Sequence, residues 1–307
     1  MSSIVIFGLG SIGTRHLQAI ATLHLAPLCY DISTQAIAAI PAFLQKNNIT
    51  LNPILSNNKE EALNAITPET IVIVATTAKG RKDLLLDILK KRPLAIIAEK
   101  PLTQTSEEYT AIMQAQETTP VYINFGRHYW QTYQELAQIL QQESKITILG
   151  KLGNMGFATS GIHFIELATW LFNEQNYTIR EMSITNTFET KRPGFFDFSG
   201  TVHVQFGEKE LFLSLTEKNI MNSLDIIIPT RGWKLLESTG KIISYDKNNI
   251  TTTPFPIIMI SATTGQVVKS IMDRKKPLLP TIAESKTAHD ILFAMMKNNN
   301  IENLNIT

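Results

Sequence analysis

Three glycines near the start of the chain, Gly8, Gly10 and Gly13 in GLGSIGTRH, stand at the spacing G-x-G-x-x-G. They follow a short β-branched run, IVIF. They precede TRHLQAIATLHL, whose Leu17, Ile20, Ala21 and Leu25 recur at helical spacing. A strand, a glycine turn and a helix in that order can cradle a dinucleotide's pyrophosphate. Gly8 permits the tight turn, Gly10 lets the backbone approach the phosphates, and Gly13 lets helix and strand pack closely. The amides at the helix start, with Ser11 and Ile12, then meet the anion. Asp31 ends the next strand-like run, PLCYD, 23 residues after Gly8. A carboxylate there accepts hydrogen bonds from the adenosine ribose and repels a 2′-phosphate, so NAD is expected in preference to NADP. The other assignment for Asp31 is a cap on the following helix, in competition with Ser33.

The elements that would hold this turn alternate over the first 120 or so residues. TIVIVATT and LAIIAEKP are buried strands, with Thr76 at the end of the first. STQAIAAIPAFLQKN is a helix broken near Pro41, RKDLLLDILKK is an amphipathic helix, and TSEEYTAIMQAQ opens with a capping box at Thr105 and Glu108. Strands alternating with helices of this length predict a doubly wound parallel sheet. Further on, WQTYQELAQIL and GIHFIELATWLF are helices. From about residue 180 strands alternate, as in TVHVQF, with Val202, Val204 and Phe206 on one face and His203 and Gln205 on the other. That pattern suits an open, mainly antiparallel sheet. The expected fold class is α/β: a Rossmann domain over residues 1–122, then an α+β substrate-binding and oligomerisation domain over 123–307.

Composition narrows the partners. The chain has 307 residues, 44% apolar and 18% charged, with a formal net charge of +1. No overall field draws it to nucleic acid or an anionic membrane, so small molecules are expected. The single cysteine, Cys29, excludes a disulfide framework and reads as a small buried hydrophobe; no metal site is expected. The first residues lack a basic segment, and no run approaches the roughly 18 apolar residues of a membrane span, so a cytoplasmic location is expected.

The glycine turn, followed about 90 residues later by AEKPL, resembles the glucose–fructose oxidoreductase / inositol dehydrogenase / rhizopine-catabolism (Gfo/Idh/MocA) family. IVIVATTAKGRKDLLLDIL, NFGRHY and SGIHFIELATWLF are similar to further motifs of that family, over residues 4 to about 173. The resemblance implies a hydride transfer between NAD and a carbinol or carbonyl carbon of a sugar, cyclitol or sugar nucleotide. By resemblance, Lys100 would lie beside the nicotinamide and the reacting carbon, where its ammonium bonds the substrate hydroxyl. Glu99 would orient Lys100 or the nicotinamide-side ribose, and Pro101 would fix the turn. His163 would be the general acid–base, with Glu166 one helical turn on to orient it. Asn124 and Arg127 would touch substrate, as would Thr159, which stands where many members carry an aspartate. Lys79, Gly80 and Arg81 would form a loop near the cofactor. The family also implies a homo-oligomer, dimer or tetramer, through the C-terminal sheet.

Each of these residues has a plainer reading. Lys100 is then a strand-end lysine, His163 a core histidine in an apolar helix, and Asn124 and Arg127 the start of a charged helix. The departures at Thr159, and at Thr77 and Arg81 where the family usually carries a proline and a histidine, keep a second function open, a non-catalytic dinucleotide-binding sensor or regulator with the same fold.

Overall fold

The apolar β-branched runs of the first third pair into one sheet. A computed structural model describes residues 3–306, with residues 260 and 261 by backbone alone. In chain order come β1 (Ser3–Phe7), α1 (Ser11–Ala21), β2 (Leu28–Tyr30), α2 (Thr34–Ala38), α3 (Ile40–Lys46), β3 (Ile54–Ser56) and α4 (Lys59–Asn64). Then follow β4 (Thr70–Val74), α5 (Arg81–Leu89), β5 (Ala95–Ala98), α6 (Ser106–Ala115) and β6 (Val121–Ile123). The six strands are parallel, in the order β3-β2-β1-β4-β5-β6. Every residue of β4 and β5 is buried, as strands covered on both faces require. The order reverses between β1 and β4, and the chain leaving the carboxyl end of β1 is the glycine turn. Ligands bind open α/β sheets at such a switch point. The helix expected over STQAIAAIPAFLQKN parts at Ala39, and Pro41 falls in the first turn of α3, where its missing N–H is harmless.

The second sheet has eight strands. After α7 (Gln131–Leu140) come β7 (Thr147–Gly153), a π-helical turn Phe157–Gly161, and α8 (Ile162–Phe172). Then come β8 (Thr178–Glu189), β9 (Phe196–Phe206), β10 (Lys209–Thr216), β11 (Ser223–Ile228), β12 (Arg231–Leu236), β13 (Lys241–Asp246) and β14 (Ile250–Pro254). They run in the order β14-β13-β12-β11-β7-β10-β9-β8. Neighbours are antiparallel except β7 and β10, which are parallel. Val202, Val204 and Phe206 turn inward and His203 and Gln205 outward, as the alternation of β9 predicts. β7 lies at the centre of the sheet although TILGKLG carries two glycines, because Leu213 and Leu224 of its neighbours fill the space at Gly150. The hairpin after β11 turns at Pro229 and Thr230, and Arg231 and Gly232 already pair in β12.

The chain ends with α9 (Ile260–Met272) and α10 (Lys286–Asn298). By its contacts it divides into two units. The first is residues 1–103, 107–126 and 258–283; the second is 104–106, 127–257 and 284–307. The boundary drawn from sequence at residue 122 is therefore crossed again, by a segment that returns to pack α9 on α1 within the first unit. Among the described residues no helix is long and apolar enough to cross a membrane.

Candidate active site

In the first unit the glycine turn is built as its spacing implies. Gly8 has φ +95, and a Cβ there would meet the backbone of Ala75 and Thr76 at 2.8 Å. A Cβ at Gly13 would lie 1.9 Å from the Gly8 carbonyl oxygen, so α1 could not approach β1 with any other residue. Gly10 differs. Its backbone is extended, and a Cβ there would meet nothing within 4 Å. The space beside Gly10 is open, and α1 starts there without a side-chain cap, with Ser11 and Ile12 exposed. Across the turn, at the end of β4, the buried Thr76 hydroxyl has no hydrogen-bond partner among the described residues. Uncapped amides, open space and a polar atom awaiting a partner fit a pyrophosphate.

Asp31 stands at the end of β2. Its Oδ2 accepts from the Leu9 amide at 2.6 Å and its Oδ1 from the Ser33 amide at 2.8 Å. The cap of α2 is Ser33, whose Oγ accepts from Ala36. Asp31 thus ties the glycine turn to the end of β2 and remains partly exposed.

Glu99 is the centre of a buried polar cluster. Its Oε1 lies 3.1 Å from His16 Nε2 and accepts from Asn124 Nδ2 at 2.5 Å; His16 Nδ1 in turn meets Thr264 Oγ1 at 2.9 Å. Burial alone would raise the Glu99 carboxyl. The His16 contact, the Lys100 charge and the Asn124 amide outweigh it and hold the group below the ordinary carboxylate range. Lys100 follows, partly exposed, and its bond to Pro101 is cis. Asn124, expected to touch substrate, is a buried amide that donates to Glu99. Arg81, expected near the cofactor, is also buried. Its Nη1 donates to the carbonyls of Glu99, Pro101 and Leu102, and its Nη2 to that of Thr76. It clamps the ends of β4 and β5, the loop that presents Lys100.

In the second unit His163 is the second residue of α8. Its neighbours Ile162, Phe164, Ile165 and Glu166 are buried, whereas Thr159, Ser160 and His163 form one partly exposed strip. Glu166 meets His128 Nε2 at 2.7 Å, with the His128 ring stacked on Trp170, so its contact differs from the expected one to His163. Arg127 is committed to Glu237, through Nε at 2.9 Å and Nη2 at 2.6 Å, and its guanidinium lies over Phe164. Burial opposes the Arg127 charge, but Glu237 more than restores it. The Thr159 hydroxyl donates to Asp197 at 2.5 Å. Beside these residues the second unit has a half-open, mostly apolar pocket of about 240 Å³, lined in part by Trp130, Met155, Phe164, Asn222, Glu237 and Ile257.

The sequence reading missed His16, Thr264 and Asp197. His16 carried a signal, since it lies on the same helical face as Leu17 and Ile20 and is buried with them. Thr264 and Asp197 carried none, because their partners are 248 and 38 residues away.

Residues 2–126 match the model of an oxidoreductase family with an NAD-binding Rossmann fold, GFO_IDH_MocA. None of the curated proteins matches the chain in sequence. Among solved structures it is similar to UDP-N-acetylglucosamine 3-dehydrogenase GnnA from Acidithiobacillus ferrooxidans, with TM-score 0.75, 11% identity, and 98% of each chain covered. It is similar to the WlbA dehydrogenase from Bordetella pertussis, solved with NADH and UDP-GlcNAcA, with TM-score 0.69 and 13% identity over 98% of this chain and 97% of that one. It is also similar to the transcriptional regulator Gal80p from Kluyveromyces lactis, with TM-score 0.73 and 11% identity over 98% of this chain and 90% of that one. At these identities the likeness is one of fold.

Proposed function

We propose, for a chain whose residues 2–126 match the Gfo/Idh/MocA oxidoreductase family, an NAD-dependent oxidoreductase acting on a CH–OH group of a sugar, cyclitol or sugar nucleotide. The observation that carries this reading is the glycine turn, with an uncapped helix start, open space at Gly10 and the Asp31 carboxylate at the end of β2. The nicotinamide would supply the hydride chemistry; the residues would supply binding, orientation and proton handling. Gly8, Gly10, Ser11, Ile12 and Gly13 would hold the phosphates, Thr76 would line the same groove, and Asp31 would take the ribose hydroxyls. Lys100 is assigned to the substrate oxygen, as a charge that stabilises the developing alkoxide. His163 is assigned the proton. Glu99 holds a fixed negative charge beside the Lys100 ammonium. The sugar-nucleotide class is supported by the dehydrogenases that share the fold. Calorimetric titration with NADH and NADPH tests the reading: NADH is expected to bind the more tightly, and no binding of either would end it.

A second reading, a dinucleotide-binding regulator without chemistry, is favoured by the likeness to Gal80p. It predicts NADH binding with no turnover and no effect of His163→Ala on binding.

A further inference from the structure

Asp197, at the start of β9, is a buried acid to which the reading above gives no task. It is 1% exposed and accepts from the amides of Ala158 at 2.8 Å, Thr159 at 3.0 Å and Phe198 at 2.8 Å, and from the Thr159 hydroxyl. Three of those four donors belong to the π-helical turn that leads into α8. The first amides of a helical turn have no partner of their own, and a carboxylate answers both their geometry and their dipole. The fit is close. A Cβ at Gly156, which precedes the turn, would come within 2.1 Å of the Asp197 carboxyl carbon. The Gly156 carbonyl then receives the amides of Ser160 at 3.0 Å and Gly161 at 2.9 Å, which widens the turn by a residue.

That extra residue decides what faces outward. Phe157, Ala158 and Gly161 are buried, and Thr159, Ser160 and His163 form the partly exposed strip. Widened turns of this kind recur at functional sites because they re-aim side chains. A neutral group would serve for packing alone, and burial raises the Asp197 carboxyl although all four donors oppose the rise.

We propose that Asp197 is a positioning residue for His163: by gripping the π-helical turn through Ala158 and Thr159 it sets the direction in which the imidazole leaves α8. The role of His163 in chemistry rests on the proposed function; the grip and its effect on the ring do not.

The test uses the full chain and three variants, Asp197→Asn, Thr159→Val and Thr159→Ser, with the His163 ring resonances identified by their loss in His163→Gln. Asp197→Asn is expected to bind NADH as wild type does, to shift the His163 resonances, and to lower kcat about tenfold or more with KM little changed. Thr159→Val is expected to move the same resonances, and Thr159→Ser to restore them. Folded variants whose His163 resonances superimpose on those of the wild type overturn the proposal. If Asp197→Asn fails to fold, the Thr159 pair decides. If wild type turns over no substrate, the proposed function fails and the resonances still decide the role of Asp197.

Discussion

Nε2 of His16 lies 3.1 Å from Oε1 of Glu99, and both side chains are closed off from solvent. The contact joins the helix that follows the glycine turn to the strand end that presents Lys100. It also sets a pH dependence. The Glu99 carboxyl is depressed in the fold, so its stabilisation is present above the unfolded value, about 4.3, and is lost as pH falls through the folded value. Glu99→Gln is expected to cost about 1.5–3 kcal/mol at neutral pH. The gap to wild type should close on acidification below about pH 4. Thermal melts over that range check it, and a gap independent of pH would contradict it.

The second and third glycines of the turn should separate structure from binding. Gly13→Ala places a methyl against the Gly8 carbonyl, so it is expected to lower both the melting temperature and NADH affinity. Gly10→Ala meets no protein atom and keeps an allowed backbone, so it should melt as wild type does while weakening NADH about tenfold or more. Melting curves and calorimetry on both variants read this directly. A Gly10→Ala protein that binds NADH normally would place the phosphates elsewhere.

Arg81 stands where the sequence reading put a cofactor contact, and the structure turns it to four carbonyls at the ends of β4 and β5. Arg81→Met leaves those carbonyls without their charged donor. A loss of about 2–4 kcal/mol in denaturant unfolding is expected. A variant as stable as wild type would show that the clamp contributes little.

Cys29 lies fully buried in β2, and burial pushes its thiol up to about 12. Alkylation requires the thiolate. The native protein should resist iodoacetamide at pH 8 and react on unfolding in urea, followed by intact mass. Rapid labelling of the native protein would contradict the burial.

What was legible in the sequence was local. The glycine spacing, the β-branched runs of β1, β4 and β5 and the alternation of β9 depend on neighbours within a few residues, so periodicity reveals them. β7 was hidden because Gly150 and Gly153 break its pattern; neighbouring strands fill the space at Gly150, and the segment after β10 fills it at Gly153. The Asp197 grip on Thr159 and the return of α9 to α1 were hidden because long-range pairing leaves no local trace. The contacts of Arg81 were hidden for a related reason: its partners are backbone carbonyls, which have no residue type to read. Glu166 was paired with His163 by helical spacing, whereas His128, brought in from another segment, holds it.

The most direct measurement is absorbance at the nicotinamide band when NAD+ and the protein meet a panel of sugars, cyclitols and sugar nucleotides, with Lys100→Met beside wild type. The expected result is reduction by one substrate class, slowed about 100-fold or more in the variant. Wild-type protein that binds NADH and reduces nothing, or a Lys100→Met protein as fast as wild type, would contradict the assignment of the chain as an oxidoreductase working through Lys100.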